Sequence, residues 1–79
     1  MIIQILGTGC PKCNALEQNA RLALAESGNE ATIEKITQID KILDMGVMMT
    51  PALAIDGEVK SFGKVLTKDQ ILSIIHGHN

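Results

Sequence analysis

The residues with most chemical potential sit in one stretch, Gly7-Thr8-Gly9-Cys10-Pro11-Lys12-Cys13. Cys10 and Cys13 are the only thiols in the 79-residue chain, and they stand three residues apart. Two thiols at that spacing can close on one another as a disulfide, or they can share a metal ion. Structural zinc takes four ligands, and the other strong candidates, His76 and His78, lie at the far end of the chain. A metal form would more naturally take two cysteines from each of two copies. Both uses of the pair stay open at this point.

Composition narrows the rest. The chain reads as a single domain, residues 1–79, and a chain this short buries only about 60 % of the surface that its unfolded form exposes. It is 46 % hydrophobic with Phe62 as its one aromatic residue, so the core is built from Ile, Leu, Val, Ala and Met. A net charge of −2 with scattered Lys and Arg leaves no footprint for nucleic acid. The apolar runs fall far short of the roughly 20 residues that a membrane span needs. The chain opens on strand-like sequence rather than a signal peptide, so the cytoplasm is the expected location. There a lasting structural disulfide is disfavoured, and a cysteine pair more often serves redox chemistry or metal.

The elements around the cysteines follow from periodicity and from turn residues. Ile2-Ile3-Gln4-Ile5-Leu6 reads as a central strand covered on both faces, a pattern most common in parallel sheets. Gly7 and Gly9 end it and allow sharp backbone turns. Cys10 then takes the N-cap of a helix with Pro11 at its first position, and the helix runs to about Ser27 with Gly28 as its stop. Leu16, Ala20, Ala23 and Leu24 form its apolar stripe, widened by Leu22 and Ala25, while Glu17 and Arg21 pair on the wet side. Residues 31–36 suit an edge strand. Thr37 is placed to cap a helix with Ile39, Ile42 and Leu43 on one face, ended by Gly46. After the apolar loop Val47-Met48-Met49 and Thr50-Pro51, residues 52–55 and 58–62 flank Asp56-Gly57, a strong hairpin signal. Thr67-Lys68-Asp69-Gln70 is a capping box that opens a last helix with Ile71, Leu72, Ile74 and Ile75. The tail His76-Gly77-His78-Asn79 reads as frayed. The order is β-α-β-α-β-β-α, an α/β arrangement with a four-stranded mixed sheet and helices on both faces.

A Cys-x-x-Cys at the first strand–helix junction of this order resembles the thioredoxin fold in its minimal, glutaredoxin-like form. Thr50-Pro51 ahead of the third strand matches the place where that superfamily carries a cis-proline facing the cysteines. Ile55-Asp56-Gly57-Glu58-Val59, then Gly63, then a capped last helix, follow the same pattern. The whole chain is similar to the very small prokaryotic proteins of the redox-active disulfide group. Lys12 stands where glutaredoxins carry an aromatic residue, and Phe62-Gly63-Lys64 lacks their glutathione-binding Gly-Gly and Asp. The resemblance implies a thiol–disulfide oxidoreductase that needs no cofactor beyond its own Cys10–Cys13 disulfide. Its partners would be proteins with disulfides and a reductase or thiol donor, and it would work as a monomer.

The chemistry fits an N-terminal Cys10. Its sulfur faces the free N–H groups of the first turn and the positive end of the helix dipole, which favour thiolate. Lys12 adds a positive charge nearby. Cys13, one turn on, is expected to be more buried and less ionised. Cys10 would attack a substrate disulfide, and Cys13 would then attack Cys10 to release reduced substrate, with Pro11 stiffening the turn. By resemblance, the Thr50 backbone would pair with the substrate chain and Pro51 would hold the loop against the cysteines. Met48 and Met49 offer a pliable apolar contact surface.

Two other readings use the same residues. The first is a small zinc- or copper-binding module; Thr8-Gly9-Cys10-Pro11-Lys12-Cys13 looks like a heavy-metal-associated loop. Those domains run β-α-β-β-α-β, however, and here a helix-like segment from Gln38 to Met45 delays the hairpin. The second is an adaptor of the same fold whose contacts matter more than its turnover.

Overall fold

The computed structural model describes residues 1–28 and 30–77. Seven elements follow one another: β1 (Ile2–Leu6), α1 (Pro11–Ser27), β2 (Thr32–Ile36), α2 (Ile39–Asp44), β3 (Ala52–Ile55), β4 (Glu58–Phe62) and α3 (Lys68–Gly77). The four strands form one sheet in the order β2-β1-β3-β4. β1 pairs parallel with β2, Ile3 opposite Ile33, and antiparallel with β3, Ile3 opposite Ile55. The central position expected for residues 2–6 therefore holds, but only one neighbour is parallel. The polar β2 lies at one edge, as its charges require.

Alternation along β1 and β3 sorts their side chains into two cores. Ile3, Ile5, Leu53 and Ile55 face α1 and α3, where Leu16, Ala20, Ala23, Ile71 and Ile75 complete a buried cluster. Leu6, Ala52 and Ala54 face the other way, against Ile42 and Val47. The large residues of β3 meet two long helices and its alanines meet the thin α2 layer. Small side chains there let a six-residue helix and a loop lie close to the sheet.

Three details depart from the sequence reading. Leu22 and Ala25 are exposed rather than widening the α1 stripe, because α1 beds into the core through Leu16, Ala20 and Ala23. Gln38, not Thr37, is the N-cap of α2, and its side chain makes no capping bond. Of the three apolar residues of α2 only Ile42 is buried; Ile39 and Leu43 remain 63 % and 55 % exposed. A helix of one and a half turns over an alanine-lined surface has room for one inserted side chain.

The ends are pinned by the local chemistry that the sequence announces. Gly28 closes α1 in the left-handed region (φ 71°), its N–H bonded to Leu24 O. Asp56 and Gly57 both carry positive φ, the geometry of a type I′ hairpin turn. Ala54 pairs with Val59 and Leu53 with Ser61, so Lys60 is an extra residue that bulges β4. Thr67 and Gln70 exchange the two bonds of the capping box, at 2.9 and 3.2 Å. Helix α3 continues through His76 and Gly77, without fraying there, while His78 and Asn79 lie outside the described residues.

Candidate active site

Strand β1 delivers the chain to the site and helix α1 receives it. The Gly7 N–H still bonds Ile36 O at 2.9 Å, extending the β1–β2 ladder one residue past Leu6. Gly9 then turns with φ 90°, and Cys10 enters the helix as an extended N-cap (φ −66°, ψ 163°) with Pro11 next. The Cys10 carbonyl accepts the first helical bond from Asn14 N–H at 3.0 Å. Its sulfur does the work of a capping side chain and accepts the Cys13 N–H at 3.3 Å. The two sulfurs lie 2.6 Å apart as free thiols sharing a hydrogen bond.

This geometry separates the two thiols. The Cys13 thiol donating to Cys10 holds the Cys10 pKa below its ordinary value, helped by the N–H groups of Cys13 and Lys12. Cys13 is 5 % exposed, and burial pushes its thiol up, reinforced by its bond to Cys10. Cys10 is half-buried at the surface and Cys13 lies behind it. Such a pair can hold one thiolate ready outside and one protonated thiol in reserve. Lys12 and Pro11 are exposed beside it.

The Thr50-Pro51 bond is cis. Pro51 is buried and Thr50 exposed, and a Cβ built on Gly7 would stand 3.9 Å from Thr50 Cβ while running into Cys13 Sγ. The loop before β3 and the start of α1 thus meet over Gly7. Met49, half-exposed, lies across Gly63: a Cβ there would stand 3.3 Å from Met49 Cε and 3.7 Å from its Sδ. The Gly63 N–H bonds Pro51 O at 2.9 Å, so the end of β4 braces the same loop. Met48 is 88 % exposed on the outside. The structure brings Cys10, Cys13, Thr50 and Pro51 to one corner, with Met49 at its rim.

Sequence reasoning missed two parts of this corner. Gly7 was expected to make a turn, but its backbone stays out of the left-handed region; what it supplies is space for Cys13. Gly63 was read as part of a family pattern, without its place under Met49. Neither close approach leaves a sign in the chain order beyond a glycine after a strand. Among the described residues no three His, Cys, Asp or Glu side chains gather to hold a metal ion, and His76 is exposed near the end of α3.

The family model described as "Thioredoxin domain" matches residues 1–76. The chain belongs to the thioredoxin-domain family. A thioredoxin of Methanothermobacter thermautotrophicus is 49 % identical over 75 residues, covering 95 % of this chain and 97 % of its own length. A thioredoxin of Methanocaldococcus jannaschii is 38 % identical over 71 residues, covering 90 % of this chain and 81 % of its own. Membership makes this small α/β protein a thiol–disulfide oxidoreductase with a Cys-Pro-Lys-Cys motif, and disulfide-bearing proteins are the substrates of the family. No helix among the described residues is long and apolar enough to cross a membrane.

Proposed function

We propose that Cys10 is the nucleophile and Cys13 the resolving thiol of a cytoplasmic protein-disulfide reductase that works as a monomer without metal. The observation that carries this reading is the contact of the two sulfurs at one helix start, Cys10 half-buried at the surface and Cys13 buried behind it. The Cys10 thiolate attacks one sulfur of a substrate disulfide; the other substrate sulfur leaves as a thiolate. Cys13 gives up its proton, and its thiolate attacks Cys10 Sγ. The Cys10–substrate bond breaks, and the second substrate sulfur departs with the electron pair. Two electrons have passed from the dithiol to the substrate, and a reductase or thiol donor restores them. A thiol with pKa near ambient pH serves the first attack best, since it combines thiolate fraction with retained nucleophilicity.

Thr50, exposed beside Cys13, offers its backbone to the substrate chain, and Pro51 holds that loop in place. Met49 lends an adaptable apolar rim, and the exposed Pro11 and Lys12 are further contacts for the substrate chain. The test is reduction of a protein disulfide such as that of insulin, followed by intact-mass analysis. Cys10→Ser should bring the rate down to the uncatalysed background, as loss of a nucleophile does. Cys13→Ser should keep the first attack and accumulate a stable mixed disulfide at Cys10. A Cys10→Ser protein as active as the parent, or adducts on Cys13 instead, would reverse the assignment.

A further inference from the structure

We infer that Gly7 is a positioning residue for the dithiol: the volume its missing side chain leaves open is the seat of the Cys13 sulfur. The turn into the helix does not need glycine here, since the positive φ belongs to Gly9. Space does. A Cβ on Gly7 would overlap Cys13 Sγ and stand 3.1 Å from Cys13 Cβ. Neither backbone is free to retreat. Gly7 is tied to Ile36 through its N–H, and the first turn of α1 is closed by the bond from Asn14 to Cys10. The one soft coordinate left is rotation about the Cys13 side-chain bond. Its staggered wells lie about 120° apart, so relief of the overlap carries the sulfur away from its 2.6 Å contact with Cys10.

The inference rests on the reading that Cys10 attacks first and Cys13 resolves. The two steps then respond differently to Gly7→Ala. Cys10 keeps its exposure and the N–H groups that favour its thiolate but loses the Cys13 thiol as a partner, so the first attack continues once the pH is high enough to ionise Cys10. In the second step the Cys13 thiolate must form a bond to Cys10 Sγ as the Cys10–substrate bond breaks and its electron pair leaves on the substrate sulfur. That displacement depends on the two sulfurs being held at attack distance, and a small misplacement is costly.

The experiment compares the parent with Gly7→Ala, Cys13→Ser, Cys13→Ala and the double variant Gly7→Ala/Cys13→Ala. Single turnovers on a protein disulfide are quenched by alkylation and weighed. At a pH high enough to ionise Cys10 in both proteins, Gly7→Ala should form the mixed disulfide within threefold of the parental rate and lose it at least tenfold more slowly. If Cys13→Ser traps no mixed disulfide, the underlying assignment fails whatever Gly7→Ala does. If Cys13→Ser traps it and Gly7→Ala releases it at the parental rate, the role of Gly7 alone is overturned. A denaturant series gives the second readout. The fall in unfolding midpoint caused by Gly7→Ala should shrink by at least half in the Cys13→Ala background, because the overlapping sulfur is gone. Equal falls in both backgrounds would mean a general backbone effect and overturn the inference. Should Gly7→Ala fail to fold, a folded double variant supports the seat, and an unfolded one overturns it.

Discussion

At the two sulfurs the helix start and the core act in opposite directions. The free N–H groups of the first turn and a donated thiol proton favour charge on Cys10, while burial opposes charge on Cys13. Alkylation should report both. A thiol reacts as its thiolate, so a lowered pKa moves the rise in rate to lower pH and a raised one moves it higher. Iodoacetamide should therefore modify Cys10 first near neutral pH, and Cys13 only in alkaline solution, as read by peptide mass. Cys13→Ala removes the thiol donor, the largest cause of the Cys10 shift, so the Cys10 profile should move back toward higher pH. Parallel profiles for both cysteines in the ordinary thiol range would contradict this picture. The motif and Pro11 at the first helical position made the place of Cys10 at the helix start legible before any coordinate. Gly7 was visible too, but for the wrong reason: a glycine that turns and a glycine that leaves room look alike in a sequence.

Elements whose ends are set by local chemistry were read closely, and those set by neighbours were not. Gly28 in the left-handed region, the Asp56-Gly57 turn and the capping box at Thr67 each depend on a few consecutive residues. Thr37 failed as a cap because Ile36 ends a strand and the chain needs Thr37 and Gln38 to cross toward α2, which starts at Ile39. The face of α1 was right at Leu16, Ala20 and Ala23 and too wide at Leu22, since periodicity marks a stripe but not its depth in the core. The capping box allows a test. Thr67→Ala removes the acceptor of the Gln70 N–H bond at the start of α3 and should cost about 1 kcal/mol in chemical denaturation. Redox activity should persist, because that end of the fold lies outside the cysteine corner. A loss below about 0.3 kcal/mol would show that the box is not felt in the folded protein.

For the molecule as a whole, the sheet order carries both stability and site. β3 lies between β1 and β4 with all four of its residues buried, so it serves two cores, and it starts on the cysteine side, Ala52 opposite Leu6. Ile55→Ala should cost about 2–5 kcal/mol by cavity formation, a large part of the 5–15 kcal/mol that ordinary domains hold. Circular dichroism through a denaturant series measures it, and the chain has no Trp or Tyr to offer another optical signal. A cost under about 1 kcal/mol would mean that the core around β3 collapses to fill the space. The amino-acid sequence by itself determined the element order, the helix start at Cys10, the hairpin turn and the pairing of two thiols one turn apart. Each of these is set within a handful of adjacent residues by backbone geometry and hydrogen bonding. Only the tertiary structure decided that β3 lies antiparallel beside β1, how little of α2 is buried, and that the Thr50 loop and Gly63 meet beside the cysteines. It also decided that position 7 must stay empty. Those features are set by how closely surfaces distant in the chain approach one another, and that distance is a property of packing rather than of any local pattern.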